Sequence, residues 1–296
     1  MRKTRYIGRF APSPSGPLHF GSLVAAVGSY LDARTHGGDW LVRMEDLDPP
    51  REMPGASDDI LRTLEIFGLH HDGEIMFQSH RHEAYQAILD QLVKQGLAYP
   101  CTCTRSEIRE AGTVNGIYPG TCRNGLLPGR KERSVRLRVD DTVVHFTDRL
   151  QGHIEENLAT QTGDFILRRA DGLYAYQLAV VIDDAEQSIT DIVRGADLLD
   201  STARQIYLQK QLGLLTPRYM HLPVAVKQDG AKLSKQTFAA PLDHRQPTTQ
   251  LALALRFLGQ TVPVTLEMET TENFLRWAVS VWDTALLPQE RNIEAH

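Results

Sequence analysis

The spacing of apolar residues predicts strands and helices that alternate along the chain. Tyr6–Phe10 is a short apolar run, and the prolines between 12 and 17 then exclude regular structure, because proline fixes φ and lacks an amide donor. From His19 onward, apolar residues recur every three or four positions until Gly37-Gly38, which indicates a helix. Residues 40–45 alternate as a strand does. The first part of the chain is therefore predicted to be a strand, turn, helix and strand.

Later segments repeat this alternation and favour an α/β nucleotide-binding core of Rossmann-like type. The apolar run around Tyr176 is interpreted as a strand, so this tyrosine is expected to be a strand residue. Helices are predicted near 56–68, 81–96 and 201–212, and strands near 173–182 and 188–194.

A segment of different character interrupts the core. Residues 101–164 contain three cysteines, several turn residues and the alternating run Ser134–Val139, so an insertion with its own small sheet is predicted. Helical patterns near 249–258 and 272–285 predict a short helical tail, which is too small for a large second domain. The expected divisions are 1–100 and 165–240 for the two halves of the core, 101–164 for the insertion and 241–296 for the tail.

Composition narrows the classes of protein. With 42% hydrophobic and 23% charged residues among 296, the chain can bury a sizeable core and does not resemble a disordered protein. No apolar run suits a signal peptide or a membrane span, so we expect a cytoplasmic protein with no membrane partner. We also expect a monomer. The net charge of −5 means that a nucleic acid would need a local basic surface. The run Arg123–Arg138 is the best local candidate for such a surface, although a run of this kind is more often an ordinary solvated face.

Two motifs suggest phosphate chemistry. The first runs from Arg9 through a proline-rich turn to His19-Phe20-Gly21-Ser22, where a helix is predicted to begin. The start of a helix offers free N–H groups and a positive dipole end to phosphate, and a histidine there can stabilise charge in a transition state. The second is Lys232-Leu-Ser-Lys235-Gln236, in which two lysines could clamp a triphosphate. Taken singly, the first also fits a capped loop and the second a solvated turn.

The three cysteines suggest a metal site. Cys101, Cys103 and Cys122 lie close in sequence, and three thiolates suit tetrahedral zinc. The alternative is three reduced cysteines that pack in the core. Either interpretation fits a reducing compartment better than a secreted disulfide framework.

Taken together, the motifs resemble those of the class I aminoacyl-tRNA synthetases. His19–Ser22 corresponds to their HIGH signature and Lys232–Gln236 to their KMSKS signature. Three further strings resemble the glutamyl branch, and with these the resemblance reaches about residue 240. They are Arg9-Phe-Ala-Pro-Ser-Pro-Ser-Gly, Leu41-Val-Arg-Met-Glu45-Asp46-Leu-Asp48 and Tyr176–Asp184 with Val193-Arg194-Gly195-Ala-Asp197.

The resemblance implies ATP with Mg²⁺ and L-glutamate as substrates. It implies that His19, Lys232 and Lys235 are catalytic, and that His19, Gly21, Ser22 and Lys235 bind ATP. The glutamate pocket would consist of Arg9, Phe10, Ala11, Pro12, Ser13, Glu45, Tyr176 and Arg194. Guanidinium groups for two carboxylates and one acidic group for an ammonium agree with that substrate. The family also uses a tyrosine as fourth zinc ligand, which here would be Tyr118, beside Cys101, Cys103 and Cys122.

Within this branch, the chain is most similar to truncated paralogues of glutamyl-tRNA synthetase. It ends where the large anticodon-binding domain of an ordinary glutamyl enzyme would begin, and those paralogues place glutamate on queuosine in the anticodon loop of tRNA(Asp). Two alternatives stay open. One is a short enzyme that charges the 3′ end of tRNA(Glu) or tRNA(Gln), and the other is an idle paralogue that only binds tRNA or ATP. The last KMSKS position is Gln236 where the family has serine, so its role is undefined.

Overall fold

The computed structural model describes residues 5–111, 117–126, 128–227 and 240–294. Its longer helices and its strands follow in the order β1 Ile7–Phe10, α1 Phe20–Thr35, β2 Asp39–Met44, α2 Ala56–Ile66, β3 Met76–Phe77, α3 His82–Lys94, β4 Ala98–Cys101, α4 Arg105–Glu110, β5 Ser134–Leu137, β6 Val143–Asp148, β7 Gly152–Asn157, α5 Leu158–Gln161, β8 Ile166–Arg168, α6 Tyr176–Glu186, β9 Asp191–Gly195, α7 Leu199–Gln211, β10 Arg218–Leu222, β11 Val224–Val226, α8 Pro247–Phe257, α9 Thr271–Val281 and β12 Asn292–Glu294.

The core consists of parallel strands, as the alternating pattern predicts. β1 pairs with β2, which also pairs with β3, and β9 pairs with β10, all in parallel. β9 enters beside β1, where the Thr190 amide donates to the Ile7 carbonyl at 2.9 Å. Helix α1 covers this sheet and buries Leu23, Val27 and Leu31 against it. The predicted strand, turn, helix and strand unit is thereby confirmed.

The prediction of a strand over 173–182 is wrong, because this segment forms helix α6, of which Tyr176 is the first residue. Every residue from Gln177 to Asp184 is buried, so the sequence has no polar face whose period could separate helix from strand. The strand predicted over 188–194 begins only at Asp191. Ser188 adopts a left-handed φ of 54° in the turn that ends α6, which delays the strand.

The cysteine-containing segment folds around two small antiparallel sheets. β5 lies between β4 and β8 in one sheet, and β6 and β7 form a separate hairpin. Since β4 begins at Ala98 and β8 ends at Arg168, strands on both sides of the 101–164 segment complete its sheet. The three-stranded sheet therefore includes residues on both sides of this segment.

The helical tail packs on the core. Leu251 and Leu255 of α8 and Phe274 of α9 are fully or almost fully buried in one apolar cluster with Leu23 and Val27 of α1. β12 adds a parallel strand to β11. Among the described helices, none is both long and apolar enough to cross a membrane.

Candidate active site

A cavity of about 500 Å³ opens where the parallel strands end. β1, β2 and β9 all point their carboxyl ends toward it, which is where open parallel sheets bind ligands. Its volume is within the range of small-molecule sites. Of the predicted site residues, those that line it are Arg9, Phe10, Ala11, Ser13, His19, Gly21, Ser22, Glu45, Tyr176 and Arg194.

Three predicted positions differ from this set. Pro12 does not line the cavity, but its carbonyl accepts a hydrogen bond from the Glu45 amide at 2.9 Å and so fixes the backbone of Glu45. Lys232 and Lys235 lie outside the described residues, as does Gln236.

The start of α1 forms one wall of the cavity. His19 caps the helix, and its Nδ1 accepts from the Ser22 amide at 3.4 Å. A neutral imidazole that accepts at Nδ1 carries its proton on Nε2. Gly21 and Ser22 also line the cavity, so the first turn of a 16-residue helix faces it. An N–H-rich helix start with a histidine donor is suited to an anion such as phosphate.

A buried ion network supports the opposite wall. Arg9 Nε and Nη2 donate to the two oxygens of Asp184 at 3.1 and 3.3 Å, and Arg43 Nη2 donates to Asp184 Oδ1 at 2.6 Å. Burial alone would raise the pKa of Asp184, but the two guanidinium groups outweigh it and hold that pKa below its ordinary value. One carboxylate from α6 therefore fixes two arginines from neighbouring strands.

To this network, Glu45 contributes a buried acceptor without a hydrogen-bond partner in the described part of the chain. Its Oε1 is buried without a hydrogen bond from any described residue, and Arg43 Nη2 lies 3.8 Å away. Burial raises the pKa of Glu45 to about 7, although Arg43 and Arg9 oppose the shift. A buried carboxylate that lacks a partner is costly unless a ligand supplies one. The cavity thus contains an acceptor suited to an ammonium group.

Arg194 is oriented by a buried chain of side chains. Its Nε donates to His221 Nε2 at 3.0 Å, and His221 Nδ1 donates to Asp148 Oδ2 at 2.6 Å. Burial, aided by the charge of Arg194, lowers the pKa of His221 to about 4, so the ring is neutral near pH 7. Only a neutral ring can accept from Arg194 on one side and donate to Asp148 on the other.

The rest of the Arg194 guanidinium is directed toward Tyr176 and Thr202. Nη2 donates to Thr202 Oγ1 at 2.8 Å, and Nη1 donates to the Tyr176 hydroxyl at 3.3 Å. The tyrosine oxygen accepts this bond, which leaves its own O–H as a donor. Because burial raises the pKa of Tyr176, the hydroxyl stays protonated. Nη1 and the tyrosine O–H are adjacent donors at the cavity wall.

The supporting residues are the ones that the sequence did not reveal. Asp184, Arg43, His221 and Asp148 are all buried, and none was predicted as a site residue. A signal exists for Asp184 and His221, since each interrupts an otherwise apolar run and a buried polar group needs a partner. The identity of that partner cannot be read from the run itself.

The three cysteines and Tyr118 form a second cluster, in the inserted structure. The sulfurs of Cys101, Cys103 and Cys122 lie within 4.8 Å of one another. The Tyr118 hydroxyl is 3.3 Å from Cys101 Sγ and 3.5 Å from Cys103 Sγ. These separations approach the edge of a tetrahedron whose metal–sulfur bonds are about 2.3 Å.

The sulfurs of Cys101 and Cys122 accept hydrogen bonds from neighbouring groups, whereas burial raises the pKa of the Cys103 thiol. The Thr102 amide donates to Cys122 Sγ at 3.5 Å, and Arg136 Nε donates to Cys101 Sγ at 3.4 Å. Burial alone would raise the pKa of Cys122, but hydrogen bonds from Thr102 and other neighbours lower it to about 7. The donor set therefore fits a zinc ion.

The basic run 123–138 is largely paired within the protein. Arg136 is buried against the Tyr118 ring, and Arg130 binds Glu107 at 2.5 Å. Arg123 contacts Asp164, and Arg138 Nη2 donates to a backbone carbonyl. Of the six cationic residues in this run, Lys131 and Arg133 are exposed without such partners in the described contacts. Most of the run therefore stabilises the inserted structure.

Comparison with known proteins agrees with this geometry. The family described as "tRNA synthetases class I (E and Q), catalytic domain" matches residues 7–277. A protein of Dechloromonas aromatica named Glutamyl-Q tRNA(Asp) synthetase is 57% identical over 96% of both chains. One of the same name from Pseudomonas aeruginosa PAO1 is 54% identical over 97% of this chain and 98% of its own.

Solved structures lead to the same family. A glutamate tRNA ligase from Elizabethkingia meningosepticum, solved in complex with its amino acid, superimposes with a TM-score of 0.80 at 26% identity. The match covers 99% of this chain and 67% of that one. The chain is therefore an enzyme of the class I (E and Q) tRNA synthetase family.

Proposed function

We propose that the chain activates L-glutamate with ATP as glutamyl-adenylate and transfers the glutamyl group to queuosine in the anticodon of tRNA(Asp). The observation that supports this most directly is the cavity itself. Its lining includes Glu45, which can accept a hydrogen bond from an ammonium group, and Arg194 and Tyr176, which can donate hydrogen bonds to a carboxylate. At His19 it also includes the N-terminal end of a helix, which is suited to binding phosphate. The name shared by relatives of near-complete coverage supports the acceptor.

In this proposal, glutamate is held at both ends. Arg194 Nη1 and the Tyr176 hydroxyl bind the side-chain carboxylate, and Glu45 binds the ammonium group. Asp184 already engages two nitrogens of Arg9, so Arg9 contributes mainly positive charge beside the substrate. The α-carboxylate then remains available to react. In favourable intramolecular reactions, such positioning lowers the activation free energy by about 7–11 kcal/mol.

Activation is an in-line displacement on phosphorus. An oxygen of the glutamate α-carboxylate forms a bond to the α-phosphorus of ATP, and the bond to pyrophosphate breaks. The His19 Nε2–H and the first-turn amides of α1 stabilise the charge on phosphate, and Mg²⁺ accompanies the ATP phosphates. Lys232 and Lys235 are proposed to neutralise the departing pyrophosphate. A hydroxyl of the nucleic acid then attacks the acyl carbon and releases AMP.

We further propose that Cys101, Cys103, Tyr118 and Cys122 hold one structural zinc ion. β4 carries Cys101, and Arg136 of β5 contacts both Cys101 and the Tyr118 ring. The ion would link the loops of the inserted structure to its sheet. Metal bound in this way contributes folding free energy directly.

The acceptor is tested by following labelled glutamate. With ATP, we expect label on tRNA(Asp) that contains queuosine, and we expect it to stay with the anticodon fragment after nuclease digestion. The matched control is the same tRNA with guanosine in place of queuosine, which should remain unlabelled. Label on the 3′-terminal adenosine would favour a short tRNA-charging enzyme, and absence of glutamate-dependent pyrophosphate exchange would favour an idle paralogue.

The pH dependence of glutamate use follows from Glu45. Its carboxylate must be ionised to bind an ammonium group, and burial sets its pKa near 7 in the free protein. We therefore expect kcat/KM for glutamate in pyrophosphate exchange to rise through about pH 7, because the raised pKa leaves the group protonated below that point. Glu45→Gln should lower kcat/KM and remove this ascending limb. A limb of unchanged position in Glu45→Gln would assign it to another group.

A further inference from the structure

The β6–β7 hairpin presents two histidines and a glutamate on its outer face. Side chains alternate along both strands, so Val144 and Asp148 are buried, while His145, His153 and Glu155 are exposed. The inner face is anchored, with the Phe146 ring against Tyr219 at a centroid distance of 6.1 Å. The outer face is thus fixed in orientation by burial of the other one.

Strand register brings the three side chains together. His145 is directly opposite Glu155, and His153 is opposite Thr147, one position further along the same face. The potential ligand atoms of the three side chains all lie within 4.8 Å of one another. His145 Nδ1 is 3.5 Å from a Glu155 oxygen, and the two imidazole rings are stacked 6.0 Å apart at 20°. A spacing of 3.5 Å is close to that between two ligands of one zinc ion with bonds of about 2.0–2.2 Å.

Several hydrogen bonds hold the turn of the hairpin, which lies next to these side chains. In the turn, Asp148 Oδ1 accepts from the amides of Leu150 and Gln151 at 3.0 and 2.9 Å. Gly152 closes the turn with a φ of 77°, and the Arg149 amide donates to the Tyr219 carbonyl at 2.8 Å. A metal ion would therefore require changes only in side-chain rotamers.

We propose that His145, His153 and Glu155 bind a zinc ion at the surface of this hairpin, independently of the cysteine cluster. Two imidazoles and one carboxylate are ligands that suit Zn²⁺, and water would complete the coordination. Mg²⁺ and Ca²⁺ are disfavoured because they prefer oxygen ligands throughout. The ion joins the two strands across their only exposed face, so it fixes the register that places Asp148 beneath His221.

Cobalt titration distinguishes this site from the cysteine cluster. Co²⁺ bound by thiolates absorbs strongly in the near ultraviolet, whereas nitrogen and oxygen ligands give only weak visible bands. We expect titration of the metal-stripped wild-type protein with Co²⁺ to show a binding step that gives the weak visible bands, in addition to any step that gives thiolate absorption. The same step should appear in Cys103→Ser and for Zn²⁺ in calorimetry, and it should be lost as the pH falls, because metal-bound histidine must be unprotonated.

The matched variants locate the site. The double variant His145→Gln/His153→Gln should weaken metal affinity in this step by at least about tenfold. Loss of a residue that only hydrogen-bonds to a metal ligand already lowers metal affinity by about that factor, and loss of a ligand itself should cost at least as much. His70→Gln removes another exposed histidine and should leave the step unchanged. Equal binding by the double variant and wild type would overturn the proposal. Loss of the thiolate absorption in the double variant would overturn it as well, since the effect would not be confined to the hairpin.

Discussion

Arg194→Ala is expected to raise the KM for glutamate by about 30- to 1000-fold, with a much smaller change in kcat. Loss of one partner from a buried, charge-assisted contact costs about 2–4 kcal/mol, and this range corresponds to that factor. In the proposed binding mode the contact is made in both the bound and the transition state, so its loss is expected to act chiefly on binding. Glutamate-dependent pyrophosphate exchange at varied glutamate measures both constants.

Two further variants show whether geometry or charge is decisive. Arg194→Lys keeps the charge but cannot span His221, Thr202 and Tyr176 at once, so we expect a KM closer to that of Arg194→Ala than to that of wild type. His221→Ala leaves the Arg194 guanidinium intact but removes a hydrogen bond that orients it. We expect the KM for glutamate to rise about tenfold, as is usual when a residue that orients a binding group is removed. The KM for ATP should stay constant throughout. If His221→Ala leaves the glutamate KM unchanged, the hydrogen bonds that link Asp148, His221 and Arg194 do not position the substrate.

Structural features were predictable where the residues that form them lie close together in the sequence, and were not predictable where those residues lie far apart. The unit from β1 to β2 was predictable because its apolar spacing, its prolines and its Gly37-Gly38 stop all lie within about 40 neighbouring residues. The cavity residues were named from motifs, and ten of them line one cavity. Their arrangement around it depends on strands that meet only in the folded chain.

The support network was not predictable for the same reason. Asp184 is separated from Arg9 by 175 positions and from Arg43 by 141, so no local pattern links them. Helix α6, which carries Asp184, was also misread, because burial on all sides removes the periodic signal. In contrast, Tyr118 and the cysteines lie within 22 positions, 101–122, and their grouping followed from local spacing together with the family resemblance.

Asp184→Asn is expected to destabilise the protein by about 3–5 kcal/mol, the usual cost of removing one member of a buried ion network. Arg9 and Arg43 would then lose the negative charge that both of them contact, while asparagine keeps nearly the same volume as aspartate. The side chains of all three residues are at most 4% exposed, so water cannot take over this role. Urea unfolding should show a lower midpoint with an unchanged slope.

Glu272→Gln provides the matched control. Glu272 also binds an arginine, at 2.7 Å, but its side chain is 82% exposed, and an exposed pair of this kind contributes about 0–1 kcal/mol. Equal midpoint shifts for Asp184→Asn and Glu272→Gln would show that burial does not amplify the Asp184 pairing.

The dependence on pH adds an independent test of the same network. The folded-state pKa of Asp184 is below its unfolded value, so its contribution to stability is fully present above the unfolded pKa. The contribution is lost as the pH falls through the folded-state pKa, where the carboxyl group becomes protonated in both states. We therefore expect the difference in unfolding free energy between wild type and Asp184→Asn to shrink in the acid range below about pH 4, well below the range in which Glu45 titrates. Since the asparagine cannot titrate, a difference that stayed constant into strong acid would mean that the loss arises from packing rather than from the charge that fixes Arg9 and Arg43.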